Sequence, residues 1–261
     1  MLLPCLITKA YSDEITLHVP IVDESPQLHL FFHELLETAI TEIGQTPQLI
    51  STRLPQRRIK SYLDQGLISI YWAIEHDEED KKYIPIKVGL TAGLIGQRIL
   101  LIKNGDQNIY SKVDDLDSFR ELGLVAGMGK DWFDISVWKA NKLLYKEAHG
   151  NWKSIFKMIP YGRDYNYISR GINEILVEAE EYDDLQIESK LVLIYNRDFQ
   201  FYLSKNGVNS GEKYQQIIEL AIKNAQKSGL IDRLVNKYWG DAFKRLNYEN
   251  RVKIYLQTPE A

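Results

Sequence analysis

Apolar and polar residues alternate over Ile15-Thr-Leu-His-Val19, which predicts a strand. The period then lengthens. Ser25-Pro26 reads as a helix cap followed by proline at the first helical position. Leu28, Phe31, Phe32, Leu35, Leu36, Ala39, Ile40 and Ile43 continue as one helical stripe, which Gly44 stops. Gln48 to Thr52 predicts a second strand, Pro55 to Gln65 a short helix closed by Gly66, and Leu67 to Trp72 a third strand. A β-α-β-α-β order of this kind predicts a parallel sheet covered by helices.

The pattern resumes further on. Ile99 to Ile102 and Leu122 to Ala126 predict strands, and Trp132 to Leu143 a helix with Trp132, Ile135, Lys139 and Leu143 roughly in phase. Trp152 to Ile159 predicts another helix, Tyr165 to Ile168 a brief strand, and Gly171 to Tyr182 a helix burying Ile172, Ile175, Leu176 and Ala179. Leu191 to Tyr195 and Phe199 to Leu203 read as returning strands. Tyr214, Ile217, Ile218, Ala221 and Ala225 mark a long amphipathic helix. Asp77 to Lys82, a charge run, reads as a solvated loop.

Composition narrows the class. The chain has 261 residues, 44% hydrophobic and 26% charged, which suits one large domain or two lobes of a soluble globular protein. A formal net charge of −4 without a basic run argues against nucleic acid as a partner. No run of about 18 apolar residues spans a membrane. MLLPCLITKAYS begins with an apolar run and puts Ala10 and Ser12 at the small-residue places of a signal-peptidase site, so export with a mature start at Asp13 is expected. Loss of that segment would remove Cys5, the one cysteine. His29 and His33 stand one helical turn apart with no HExxH frame or cysteine partner, so no metal or other cofactor is expected. No GxSxG, P-loop or dinucleotide fingerprint occurs.

The stretch from Gln97 to Trp132 carries the most specific signal. Arg98 precedes an apolar strand, Asp115-Leu116 follows a polar turn, and the next strand stops at Gly127-Met128-Gly129. A guanidinium and exposed backbone N–H groups are two ways of holding an anion. Near the end, a helix, Gly229 and a second helix finish in Lys237-Tyr238-Trp239-Gly240. In this order the features resemble the family 3 extracytoplasmic solute-binding proteins, which include amino-acid receptors of ABC transporters, over residues 13 to 241. The resemblance implies a two-lobed α/β fold of the type II periplasmic binding protein kind, each lobe a doubly wound sheet. It implies lobe 1 over 13–102 plus 197–261 and lobe 2 over 103–196, after a signal-peptide remnant at 1–12. The crossings would fall near Leu101–Asn104 and Tyr195–Phe201.

The same resemblance implies a periplasmic monomer, not an enzyme, that closes on a small solute and works with a membrane permease or a membrane sensor. Arg98 would grip a ligand carboxylate, Met128 and Gly129 would offer N–H groups, and Tyr71 and Trp72 would line the cleft with Asp23. For Arg98 the competing reading is an ion pair, and for Tyr71 and Trp72 it is core. Where amino-acid receptors present an aspartate to the ligand ammonium, this chain has Ser169, Arg170 and Gly171, with Glu174 after them. Two guanidiniums, Arg98 and Arg170, facing each other from different lobes would favour an anionic solute, whereas the competing reading, an Arg170–Glu174 pair at i,i+4, would leave a zwitterion acceptable. An enzyme on the same fold, of the cyclohexadienyl dehydratase kind, would use Glu174 or Glu178 as general acid.

Overall fold

The computed structural model describes residues 14–23, 28–130 and 132–259. The expected cap at Ser25-Pro26 and the signal-like segment lie outside the described residues. In chain order the elements begin β1 (Ile15–Val22), α1 (Leu28–Glu42), β2 (Pro47–Leu54), α2 (Gln56–Asp64), β3 (Ile70–Ile74), α3 (Asp77–Lys82) and β4 (Ile84–Ile86). There follow β5 (Gln97–Lys103), α4 (Leu116–Glu121), β6 (Val125–Met128), α5 (Asp134–Ala140), β7 (Leu144–Glu147) and α6 (Ser154–Met158). The rest are β8 (Tyr167–Gly171), α7 (Ile175–Glu181), β9 (Leu185–Ile187), β10 (Leu191–Ile194), β11 (Phe199–Leu203), α8 (Gln215–Lys227), α9 (Leu230–Arg245) and β12 (Val252–Tyr255).

The chain divides into two compact units. The first holds residues up to 73 with 78–88 and 200–234, and the second holds 74–77, 89–199 and 235–261. The first border is near 88, not the expected 102, and the reason is β5. Its Ile99, Leu100, Leu101 and Ile102 are all fully buried, with neighbours on both edges, so this run is a central strand of the second unit and not a crossing. The last stretch of the chain also belongs there, through β12.

In the first unit β1 and β2 pair in parallel. Phe31, Phe32, Leu35, Leu36, Ala39 and Ile40 form the buried face of α1, as the stripe predicts, and α8 packs against this helix. The third expected strand leaves that sheet: β3 joins β11 and β4 in a separate three-stranded sheet. Ser69 still ties it to β1, since Ser69 N–H donates to the His18 carbonyl at 2.7 Å. The charge run is helix α3, not a loop. Asp80 accepts from Lys87 at 2.8 Å and from Gln200 at 2.7 Å, and Glu79 pairs with Lys60.

The second unit is built on a seven-stranded sheet ordered β12-β10-β5-β8-β6-β7, with β9 also on β5. Alternation along β5 sends Leu100 and Ile102 to a core with Met128, Val137 and Trp138, and Ile99 and Leu101 to a core with Ile155, Ile168 and Ile175. β12 adds in parallel to β10. Buried Arg251 anchors its start by donating to the carbonyls of Leu246, Glu188 and Leu191 at 2.6–2.8 Å. No helix among the described residues is long and apolar enough to cross a membrane.

Candidate functional site

Arg98 lies near the start of β5, where the strand passes between β10 and β8. Its side chain is 6% exposed and meets an acid, as an ion pair and not as an open grip: Nη2 donates to Asp134 Oδ2 at 2.9 Å. Nε donates to the Tyr195 hydroxyl at 3.0 Å. Burial opposes the charge on Arg98, but Asp134 first and Tyr195 next outweigh it and hold the guanidinium firmly protonated. Burial pushes the Tyr195 phenol up despite the arginine beside it.

One oxygen of this buried pair is unspent. Asp134 Oδ1 is buried without a hydrogen-bond partner, and the Arg98 hydrogen bonds run through Nε and Nη2 and not through Nη1, with the Glu174 charge also acting on the group. A side-chain carbon on Gly171 would come within 3.4 Å of that Nη1 and 2.5 Å of Asn173 Oδ1, another buried oxygen without a partner. A charged donor, and a charged acceptor with unspent capacity, can each take the opposite charge of a small solute.

Arg170 is also paired. Nε and Nη2 donate to the two oxygens of Glu178 at 2.6 and 2.7 Å, and Glu174 lies 3.1 Å away. Burial works against the Arg170 charge, and Glu174 and Glu178 raise it again; burial pushes the Glu178 carboxyl up while Arg170 pulls it back. The two arginines do not face each other from different lobes. They stand on adjacent strands of one sheet, with Arg98 opposite Gly171 and Arg170 opposite Ile99. Alternation therefore sends them to opposite faces. Each is paired with acids there, and Glu174 acts on both, so the repulsion that Arg98 still exerts on Arg170 is outweighed. Over the ion-paired set, two arginines meet three acids, Asp134, Glu174 and Glu178, for a net charge of −1.

The other candidates scatter. Trp72 is 2% exposed and stacks on Phe32 at 4.5 Å, so it is core of the first unit. Tyr71 is half-buried beside it, and Asp23 is an exposed turn residue after β1. Met128 is fully buried and its carbonyl accepts from Ala148 N–H at 2.8 Å. The flanking glycines are explained by packing. A Cβ on Gly127 would lie 2.4 Å from Ile155, and one on Gly129 would lie 2.3 Å from the Trp132 indole. Side chains of the second unit fill the corner where ligand was expected. Asp134, Tyr195 and Trp132 are the site residues that sequence reasoning missed. The only sequence hint was the place of Asp134 in the first turn of α5, where a carboxylate suits the helix dipole.

A separate cavity of about 920 Å³ opens at the carboxyl ends of the parallel strands β6 and β7, lined by Lys130, Lys146, His149, Ser154 and Asp164 among others. No member of the ion-paired set lines it. Its Lys146–Asp164 pair is about half exposed, so it lacks the desolvation that makes Arg98 and Asp134 a strong recognition pair.

No family model and no curated protein matches the chain. Solved structures do match, at low identity. An ancestral arginine-binding protein bound to glutamine aligns with 86% of this chain and 98% of its own, at TM-score 0.53 and 14% identity. An amino acid ABC transporter substrate-binding protein from Streptococcus pneumoniae bound to L-arginine aligns over 87% and 94%, at TM-score 0.53 and 13% identity. A structure from work on glutathione import via GshT and the cystine ABC importer TcyBC of Streptococcus mutans aligns over 87% and 95%, at TM-score 0.54 and 13% identity. The chain thus has the α/β fold of the two-lobed substrate-binding proteins.

Proposed function

We propose that this chain is an extracytoplasmic solute-binding protein, and not an enzyme, that takes a small polar solute of the amino-acid class and works with a membrane permease or a membrane sensor. The observation that carries the reading is the buried Arg98–Asp134 pair, with one carboxylate oxygen unspent and the Arg98 hydrogen bonds confined to Nε and Nη2. A zwitterion answers both: its carboxylate suits the planar guanidinium, and its ammonium suits the carboxylate. A dicarboxylate answers only one and adds charge beside a set that is already at −1. The fold shared with amino-acid substrate-binding proteins agrees with this reading. Both Glu178 oxygens accept from Arg170, which argues against Glu178 as the general acid of a dehydratase.

The test is a thermal-shift screen of the wild-type chain with amino acids, organic acids and polyamines, repeated with Asp134→Asn. Neutral amino acids are expected to stabilise the wild type most. Asp134→Asn should lose that response and gain one toward monocarboxylates without an ammonium group. Stabilisation by polyamines alone would contradict the reading. A chromosomal neighbour encoding a permease, or one encoding a membrane kinase, would separate transport from sensing.

A further inference from the structure

The surroundings of Arg170 form a complete recognition site for a guanidinium. The group lies 4.8 Å from the ring centre of Trp152 and 5.3 Å from that of Trp132, two indoles in edge contact at 5.1 Å. Glu178 receives it in parallel, fork to fork, and Glu174 Oε2 lies 3.1 Å from Nη2. Aromatic faces, a bidentate carboxylate and a second acid are what a planar, delocalised cation selects over a compact ammonium. The box is not sealed: both indoles are only half-buried, and the Glu174 side chain is 35% exposed.

We propose that Arg170 is a resident cation, a specificity-determining residue that fills a guanidinium box made by Trp132, Trp152, Glu174 and Glu178 and thereby denies it to cationic solutes. The alternative, an arginine that only braces β8 against α7, would not need both indoles and both acids on one group. Anchoring needs one acid, and a lysine would serve it as well. The box can be tested without any solute. Only its consequence, that cationic ligand groups are turned away from this face of the second unit, rests on the solute-binding reading.

The experiment compares the wild-type chain with Arg170→Ala, using n-propylguanidinium as probe and n-propylammonium at equal concentration as control. Melting temperature and tryptophan emission are both followed. Arg170→Ala is expected to melt below the wild type. Propylguanidinium should raise its melting temperature saturably and change its emission, with propylammonium at least about tenfold weaker, as the planar fork and stacking require. The wild type should respond to neither, and adding Glu178→Gln to the variant should abolish the effect. Equal responses to the two cations, or a wild-type response as large as the variant's, would overturn the proposal. If Arg170→Ala does not fold alone, its refolding yield is measured with each cation. Recovery with propylguanidinium only supports the box, and recovery with neither overturns it. Failure of the amino-acid screen alongside success here would reject the solute reading and leave the box intact.

Discussion

At the scale of single residues, the buried charges set the largest expected effects. Arg98→Met leaves the Asp134 carboxylate buried without its cation, which should cost about 3–5 kcal/mol of stability in urea unfolding. Replacing both, Arg98→Met with Asp134→Leu, should recover most of that loss because no uncompensated charge remains. A loss below about 1 kcal/mol in the single variant would mean that the pair behaves as a solvated one. His33 gives the pH dependence. Burial, and then the neighbouring His29, lower its pKa from 6.5 to about 4, although its Nε2 contact with the Pro20 carbonyl opposes this. A depressed histidine pKa means that the unfolded chain takes the proton first, so its contribution is full above pH 6.5 and is lost as pH falls toward 4. His33→Gln should flatten that part of a stability-versus-pH curve. Of the site, the position of Arg98 was legible because an arginine stands out at the head of an apolar strand. Its partners were not legible, since Asp134 and Tyr195 lie 36 and 97 residues further along the chain.

At the scale of elements, the corner after β6 is the sharpest test. Gly129 is there because Trp132 lies against it, so Gly129→Ala must displace a rigid indole or shift the backbone. Overpacking of this kind should cost about 1–3 kcal/mol. It should also alter tryptophan emission, since Trp132 would leave Arg170. An unchanged spectrum and stability would show that the corner is looser than the contact distances imply. Continuous stripes made α1 and α8 legible, and alternation made β1 legible, because local period fixes those elements. Sheet membership did not follow from period. β3 reads like the next parallel strand, yet its partner is β11, supplied by a segment far along the chain. Likewise β5 reads as an apolar strand, but only its neighbours β10 and β8 show that it is central and not a crossing. α3 stayed hidden because six charged residues carry no stripe, and its acids are held by Lys60, Lys87 and Gln200 from outside the run.

At the scale of the whole molecule, the fold was legible from the order of three weak signals, Arg98, the glycine corner and the closing Lys-Tyr-Trp-Gly, taken together. The corner's role was misread because a glycine needed for close packing looks the same in sequence as one left open for a ligand. What the fold leaves open is the charge of the solute, and the Arg98–Asp134 pair bears on it most directly. Calorimetric titration of the wild type with a neutral amino-acid series and a dicarboxylate series tests that point. The neutral amino acids should bind more tightly, and Asp134→Asn should weaken them by about 2–5 kcal/mol, the cost of losing one partner of a buried charge contact. Tighter binding of dicarboxylates, with neutral amino acids unaffected by Asp134→Asn, would contradict it.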